Sequence, residues 1–482
     1  MSHSKHFALA AVALVVSSIA LYFGTGLHPA WWTLWFAPIP ILLAAPRLSR
    51  TANLAVASLA WIAGGLNMWS YFHVLLEIPL GVILVIMVMP ALVFAVDVLA
   101  YRSFLQFSPW RAALVFPSIW VAYEFLSERM SPHSTFGNIS YSQMNFMPML
   151  QLASVTGIWG ISFCLFLFAA TVAVLFGGRA SATRKLALTV GCVLLAVLGF
   201  GYWRLHFTPP AQDSVVVGLV ASDLRQNILT EKHQDTLRLL HEYAAQVEML
   251  AAQGAKVVVI PEKVAVLLDS DVPEVDVLFR ATAAKTGASI ILGVIHPTTD
   301  AKWNEARIYS PDGEIREYEK HHMIPSFESD LTVGTTRTEW RQPSGLWGVT
   351  ICKDMDFPPL SRVYGNDGSG LLLVPAWDFD KDGWLHSRMG ILRGVESGFS
   401  IARAAKQGVL TITDDTGRVL AERETNSAPF ASLVAVAPVR HTATIYARYG
   451  DWFGWLNVCA LIGLVVEGFM ARRRTRGTTR LS

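Results

Sequence analysis

Charge is what this sequence has least of. Asp, Glu, Lys and Arg make up only 16% of its 482 residues, against roughly a quarter in an ordinary soluble domain. Hydrophobic residues reach 52%, and the mean hydropathy is +0.40. Such a balance excludes an ordinary soluble protein as a description of the whole chain and points to a membrane. The formal net charge of +2 supplies no basic face for nucleic acid, so no nucleic-acid partner is expected. Cysteine is scarce as well, at four, which is too sparse for a disulfide scaffold. No metal-binding spacing occurs: His321 and His322 are adjacent and there is no HExxH. No glycine-rich phosphate loop, solenoid-period repeat or low-complexity tract is present. Neither a metal nor a cofactor is expected.

What the chain does have is long apolar runs. A helix needs ~20 apolar residues to cross the hydrocarbon. Seven candidates, at about 7–27, 31–45, 54–72, 78–100, 110–126, 150–176 and 186–207, precede a polar stretch, and an eighth follows it at about 452–469. The second is short and carries Pro38 and Pro40, which makes it the weakest. The first is longer than a signal-peptide core of about 7–15 residues, so it is expected to be retained.

Basic residues orient the bundle. With the N-terminus in the cytoplasm, the inside loops carry Arg47 and Arg50, then Arg102 and Arg111, then Arg179, Arg184 and Lys185. The tail with Arg472, Arg473, Arg474, Arg476 and Arg480 also falls inside, and Arg129 is the outside exception. The expectation is a multi-pass protein of the bacterial inner membrane, seated in the lipid bilayer with both termini cytoplasmic. Its parts are a seven-helix transmembrane domain over 1–210, a periplasmic domain over 211–445, and a last transmembrane helix with a basic tail over 446–482. A monomer is expected. The outer loop near 127–149 is almost uncharged and rich in Met, Phe and Tyr; packing on its own protein and lying at the lipid interface are both open readings.

The polar domain alternates strand-like and helix-like segments. SVVVGLVAS, KVVVIPE, SIILGVIHP, LWGVTIC and GLLLVPAW read as strands, and HQDTLRLLHEYAAQVEMLAAQG as an amphipathic helix. That alternation predicts an α/β domain, in which chemistry tends to sit at strand ends. Glu262 closes KVVVIPE, Lys320 follows the turn Pro311-Asp312-Gly313, and Cys352 closes LWGVTIC. Cys164, Cys192 and Cys459 fall in apolar runs, which leaves Cys352 without a partner in its own domain. A lone cysteine is most often a small buried hydrophobe. Beside a carboxylate that takes its proton and a lysine that stabilises the resulting charge, the same thiol becomes a nucleophile.

Together these residues resemble the nitrilase, or carbon–nitrogen hydrolase, superfamily, marked by a Glu–Lys–Cys triad on an αββα sandwich. Glu262 in VVIPEK, Lys320 in EYEKHHMIP and Cys352 in GVTICKDMDFP match its three motifs. Glu328 matches a second glutamate often found in these sites, and Arg393 and Glu396 in LRGVESG match a segment that supports the fold. The membrane-bound branch, the apolipoprotein N-acyltransferase family, places such a domain among about eight transmembrane helices. FGNISYSQ, LQLASVTGIWGISF and IARAAKQGVLTITDDTG are similar to its loop, sixth helix and late strands.

Some positions depart from the family. Lys353-Asp354 stand where Tyr-Glu is usual, Pro375-Ala376-Trp377-Asp378-Phe379 where Asn-Asp-Ala-Trp-Phe is usual, and Thr230 near a common Trp. Lys353, Asp354 and Trp377 therefore join Glu328 and Glu396 as candidate supporting or substrate-binding residues. Lys353 either lowers the thiol pKa or points to solvent. His322 is expected to be a packed or hydrogen-bonding residue.

The resemblance implies N-acylation of the N-terminal diacylglyceryl-cysteine of an apolipoprotein acceptor. The acyl donor would be a phospholipid, and the route a thioester acyl-enzyme on Cys352. The alternative is a membrane-tethered periplasmic amidase with the same triad, since Cys-x-Asp is similar to pantetheinase- and biotinidase-like members. A non-catalytic scaffold or transport partner is the third reading.

Overall fold

The computed structural model describes residues 3–177, 180–209, 211–225 and 232–478. Arg179, Thr230 and Arg480 lie outside the described residues, as do the side chains of Arg472, Arg473, Arg474 and Arg476. The chain forms two compact units: Met1–Ser131 with Thr135–Trp203 and Asp451–Ser482, and Pro132–Ser134 with Arg204–Gly450.

The first unit is helical. Four described helices are long and apolar enough to cross a membrane: Ser4–Gly24, Leu80–Leu105, Ile158–Gly177 and Thr183–Phe207; Trp452–Glu467 is a shorter apolar helix. The eight spans read from the sequence are not all continuous helices. The run at 31–45 breaks into Thr33–Phe36 and Ile39–Ala44, because Pro38 and Pro40 supply no N–H to a continuing helix. The run at 54–72 is the helix Arg50–Gly65 followed by a tight turn and a π-turn, Ser70–Leu75. The run at 150–176 begins in short turns, and Gly157 at φ +66° separates them from Ile158–Gly177.

Within this unit the uncharged outer loop packs on its own protein. Ile139–Gln143 is a buried turn. Its first N–H donates to Glu124 Oε1 at 2.9 Å. Gln143 accepts from Trp35 Nε1 at 2.8 Å and donates to the Trp31 carbonyl at 2.9 Å, and Trp31 stacks on Phe146 at 4.5 Å. Arg129, the outside exception among the basic residues, donates to Asp451 Oδ2 at 2.8 Å, and Trp159 Nε1 donates to the other oxygen at 3.0 Å. Its charge is thus matched locally, and Asp451 ties the start of the last helix to two others.

The second unit holds twelve described strands. They are β1 (Ser214–Ala221), β2 (Val257–Val259), β3 (Ser289–Pro297), β4 (Lys302–Tyr309), β5 (Ile315–Glu319), β6 (Thr338–Gln342), β7 (Gly345–Val349), β8 (Leu371–Trp377), β9 (Ser400–Lys406), β10 (Val409–Thr413), β11 (Val419–Glu424) and β12 (Ala431–Pro438). One sheet runs β12-β1-β2-β3-β4-β5 and the other β11-β10-β9-β8-β7-β6. The central pairs β1/β2, β2/β3, β7/β8 and β8/β9 are parallel, and the outer pairs antiparallel. Of the strands in these parallel pairs, β1, β2, β3, β7 and β8 are the ones read from the sequence as apolar strands, as burial on both faces requires; β9 carries Arg403 and Lys406.

Alternation assigns the faces. Val257, Val259, Leu371 and Leu373 point between the sheets, while Val258 packs on the helix side of its sheet and Leu372 and Val374 on that of theirs. Helix His233–Ala252 buries Leu239, Leu240, Tyr243, Val247 and Leu250 on one face against the first sheet. Tyr364 and Leu360, from helix Pro358–Asp367, cover the second. The result is the two-sheet α/β sandwich expected from the sequence.

Candidate active site

Glu262 leaves the end of β2. Ile260 N–H still bonds to the Ile291 carbonyl at 2.8 Å, and Val264 N–H reaches the Gly293 carbonyl at 3.0 Å. The segment between them crosses directly over β3. It fits because residue 293 is glycine: a Cβ there would lie 2.3 Å from the Pro261 carbonyl oxygen and 2.7 Å from Glu262 Cα. Lys320 follows β5, with its N–H on the Asn304 carbonyl at 2.9 Å and its carbonyl accepting from Gly334 at 2.8 Å. Cys352 follows β7 and opens a single 3-10 turn, Cys352–Asp356, at φ +44°. A non-glycine residue in that region stores about 1–3 kcal/mol of strain, which persists only where surrounding contacts fix it.

These three strand ends bring their side chains into one buried cluster. Glu262 and Lys320 are fully buried, Glu328 nearly so, and Cys352 is 9% exposed. Lys320 Nζ lies 2.7 Å from Glu262 Oε1 and 2.8 Å from Glu328 Oε2. Asn304 Nδ2 donates to Glu262 Oε1 at 2.6 Å and to Glu328 Oε1 at 3.1 Å. Glu328 Oε2 also accepts the Ile324 N–H at 2.8 Å. Glu262 Oε2 is buried and has no hydrogen-bond partner among the described residues. The Cys352 thiol donates to the Trp377 carbonyl at 3.5 Å.

Burial pushes the Glu262 carboxyl up, but Lys320, Lys263 and the hydrogen bonds it accepts hold it well below the usual carboxylate range. Lys320 is driven above its ordinary value, because Glu262 and Glu328 outweigh its desolvation. Burial and then Glu262 push the Cys352 thiol up, against the pull of Lys320. The resting state is therefore a neutral thiol beside an ionised carboxylate–ammonium pair.

The other candidates are placed differently. Asp354 is fully buried. Its Oδ1 accepts from His321 N–H at 3.1 Å, His322 N–H at 2.9 Å and His322 Nδ1 at 2.9 Å, and its Oδ2 from Tyr318 OH at 2.7 Å and Ile351 N–H at 3.1 Å. It ties the cysteine turn to the end of β5. His322 stacks on Phe357 at 3.7 Å and faces Asp354. Lys353 does not point to solvent: it is 6% exposed, with Nζ 3.6 Å from Asp356 Oδ2 and 3.2 Å from His133 Nδ1. Trp377 sits beside the thiol, with Nε1 donating to Gln407 at 2.6 Å and Lys406 Nζ 3.5 Å from the ring centre. Glu396 is buried in helix Gly383–Ser397, 3.2 Å from Arg393 Nε.

Three participants were missed in the sequence. Lys263, next to Glu262, contacts Glu328 Oε1; a lysine adjoining a strand-end glutamate was the available signal. Asn304 bridges the two carboxylates from inside β4, and nothing in its local pattern marks it. Arg403 forms a buried two-pronged pair with Asp378, directly after Trp377; Arg403 lies inside an apolar-reading strand.

Comparison with known proteins gives two family matches. The family described as apolipoprotein N-acyltransferase N-terminal domain matches residues 17–171, and carbon-nitrogen hydrolase matches residues 221–438. Among curated relatives, the apolipoprotein N-acyltransferase of Geobacter metallireducens is 25% identical, over 75% of this chain and 74% of that protein. That of Shewanella oneidensis is 25% identical over 97% of both. Similar solved structures include a mutant amidase from Nesterenkonia sp. AN1 with an acetamide moiety added covalently at its active site cysteine. It is 18% identical, with TM-score 0.40, covering 52% of this chain and 99% of that one. A carbon-nitrogen hydrolase from Helicobacter pylori is 16% identical, with TM-score 0.40, covering 50% and 94%.

Proposed function

Because the chain belongs to the apolipoprotein N-acyltransferase family, we propose that Cys352 carries an acyl group from a phospholipid to the N-terminal amine of a lipoprotein. The enzyme class is an N-acyltransferase of the bacterial inner membrane, and its acceptor class is a lipoprotein.

Glu262 Oε2 accepts the thiol proton. The thiolate attacks the ester carbonyl of the phospholipid, and the Lys320 charge stabilises the oxyanion. The C–O bond breaks, Glu262 returns the proton to the departing lysophospholipid oxygen, and a thioester remains on Cys352. The α-amino group of a diacylglyceryl-cysteine then attacks the thioester carbon. Glu262 takes the amine proton and passes it to the leaving thiolate. The products are an amide and the free thiol.

The observation that carries this reading is the buried, unpartnered Glu262 Oε2. Its sister oxygen is held by Lys320 and Asn304, which leaves Oε2 without a hydrogen-bond partner among the described residues. Both substrates carry acyl chains that are costly to expose to water, at about 0.8 kcal/mol per CH₂, so a membrane seat suits them. The positive-inside pattern supports a periplasmic catalytic unit.

Intact mass after incubation with phospholipid tests the proposal, with Cys352→Ala as control. A gain of one fatty acyl chain, absent in the variant, is the expected result. A folded protein that gains no mass from several lipids, yet hydrolyses small amides, would overturn the donor assignment in favour of an amidase.

A further inference from the structure

Lys263 occupies a position the chemistry above does not use. It follows Glu262 directly at φ +50°, a conformation that turns its side chain back toward the cluster. The side chain is 11% exposed. Its Nζ is in hydrogen-bond contact with Glu328 Oε1 and lies 3.7 Å from Glu262 Oε1. It is also 5.2 Å from the centre of the Trp377 ring, whose own carbonyl accepts the Cys352 thiol. The Lys263 carbonyl is held in turn by Lys406 Nζ at 2.9 Å.

The charge count explains what this lysine does. Glu262 and Glu328 share Lys320 and Asn304. Two buried carboxylates against one ammonium leave an uncompensated negative charge, and like charges in one site resist joint ionisation. Such a site relieves itself by protonating one carboxylate, and a protonated Glu262 cannot take a proton from the thiol.

We propose that Lys263 is a positioning residue of the catalytic carboxylate pair: it clamps Glu328 and balances the second negative charge, so that Glu262 remains an ionised base. The proposal rests on the reading of Glu262 as the base and Cys352 as the nucleophile. The groups facing Glu262 are Lys263, Asn304 from β4, Lys320 after β5, Glu328, the Cys352 thiol and Lys406 at the end of β9. Asp378 and Arg403 also act on the thiol, in opposite directions. Burial pushes the Lys406 amine well below its ordinary value, and its Nζ is spent on the Lys263 carbonyl, so Lys406 is a poor replacement for the missing charge.

The test uses the full-length protein in detergent and the rate of Cys352 alkylation by iodoacetamide as a function of pH, read by intact mass. No lipid is needed, so the outcome is separable from the identity of the acyl donor. An opposite charge within about 4–6 Å lowers a carboxyl pKa by roughly 1–3 units. The acid limb of the profile should therefore move up by about 1–3 pH units in Lys263→Met and return toward the parent in Lys263→Arg. Lys263→Gln gives the same reading if the Met variant does not fold. A lysine that only braces the fold would lower the rate equally at every pH. A limb that moves by less than about half a unit in the folded Met or Gln variant overturns the proposal. A parent thiol that fails to react at any pH overturns it too, together with the nucleophile assignment.

Discussion

Asp354→Asn isolates the link between the cysteine turn and the lysine strand. The Asp354 carboxylate accepts five hydrogen bonds, three on Oδ1 and two on Oδ2. An asparagine amide offers one acceptor oxygen and one NH₂. Placing the oxygen at Oδ1 serves the His321 and His322 donors. The NH₂ then faces Tyr318 OH, which can rotate to accept, and Ile351 N–H, which cannot. One buried backbone N–H loses its partner, and the remaining bonds lose the negative charge that strengthened them. A hydrogen bond to a charged group is worth about 1.5–3 kcal/mol, so the loss should be about 2–3 kcal/mol, or roughly 30- to 150-fold in the local opening equilibrium. Hydrogen exchange followed by mass spectrometry reads this directly in peptides spanning 318–323 and 349–357. Protection of the Ile351 amide should fall by that factor, and acyl-adduct formation on Cys352 should slow with it, because the thiol loses the tether that sets its turn. Exchange within about twofold of the parent, with an unchanged adduct rate, would refute the assignment of Asp354 as the tie.

Lys320→Met removes the cation shared by Glu262 and Glu328. Breaking a buried pair from one side costs about 3–5 kcal/mol, so the apparent urea midpoint of the catalytic unit should fall and the acyl adduct should disappear; an unchanged midpoint would count against the buried pair. The parent should also lose stability in acid. Glu262 has a folded pKa lowered to about 2, against about 4.3 for an unperturbed glutamate. Its contribution is present above about 4.3 and is lost as pH falls toward about 2, and this acid-sensitive part should be missing in Lys320→Met. His386 lies 3.0 Å from Asp382 and 3.8 Å from Asp378, and these carboxylates raise its pKa to about 9 although burial pushes it down. Stability from that cation is complete below about 6.5 and lost as pH rises through about 9, so the parent's midpoint should drop between pH 7 and 10, and by less in His386→Gln. Gly293→Ala puts a Cβ 2.3 Å from the Pro261 carbonyl oxygen; the adduct rate should fall at least about tenfold, as a misplaced base loses its geometry, and a parental rate would show that the Glu262 segment can shift freely.

Much of the site was legible because Glu262 and Cys352 sit where apolar runs stop, whereas Lys320 follows the mixed strand β5 and was legible from the turn before it and the resemblance of EYEKHHMIP to the family's lysine motif. Val257–Val259, Gly345–Val349 and Leu371–Trp377 are strands whose burial demands continuous hydrophobes, and a charge or thiol at such an end stands out. The outer antiparallel strands β4, β5, β6 and β11 mix polar and apolar residues and carry no comparable signal. Asn304 belongs to one of them, so its bridge between two carboxylates depends on pairing across β3 and β5, which no local pattern encodes. The membrane runs misled in the opposite way. Hydropathy marks residues 31–45 as an apolar run, but continuity of a helix is a backbone property, and two prolines break it there.

Lys353 and Asp354 show where sequence reasoning stops for a physical reason. Both follow the candidate nucleophile and both looked able to face a substrate. The backbone turns through φ +44° at Cys352 and then winds into a 3-10 turn, so neighbouring side chains diverge. Asp354 swings inward beneath the turn and spends both oxygens on five donors; Lys353 swings toward Asp356 and His133. An aspartate is one methylene shorter than the glutamate usual in the family, which suits a carboxylate that must reach the backbone of its own turn at Ile351. With its oxygens committed to the scaffold, Asp354 acts on the reaction only through the position of the thiol. That is why its substitution should change the turn's hydrogen exchange and the adduct rate together, whereas a substrate-contacting residue would change the rate and leave the exchange alone.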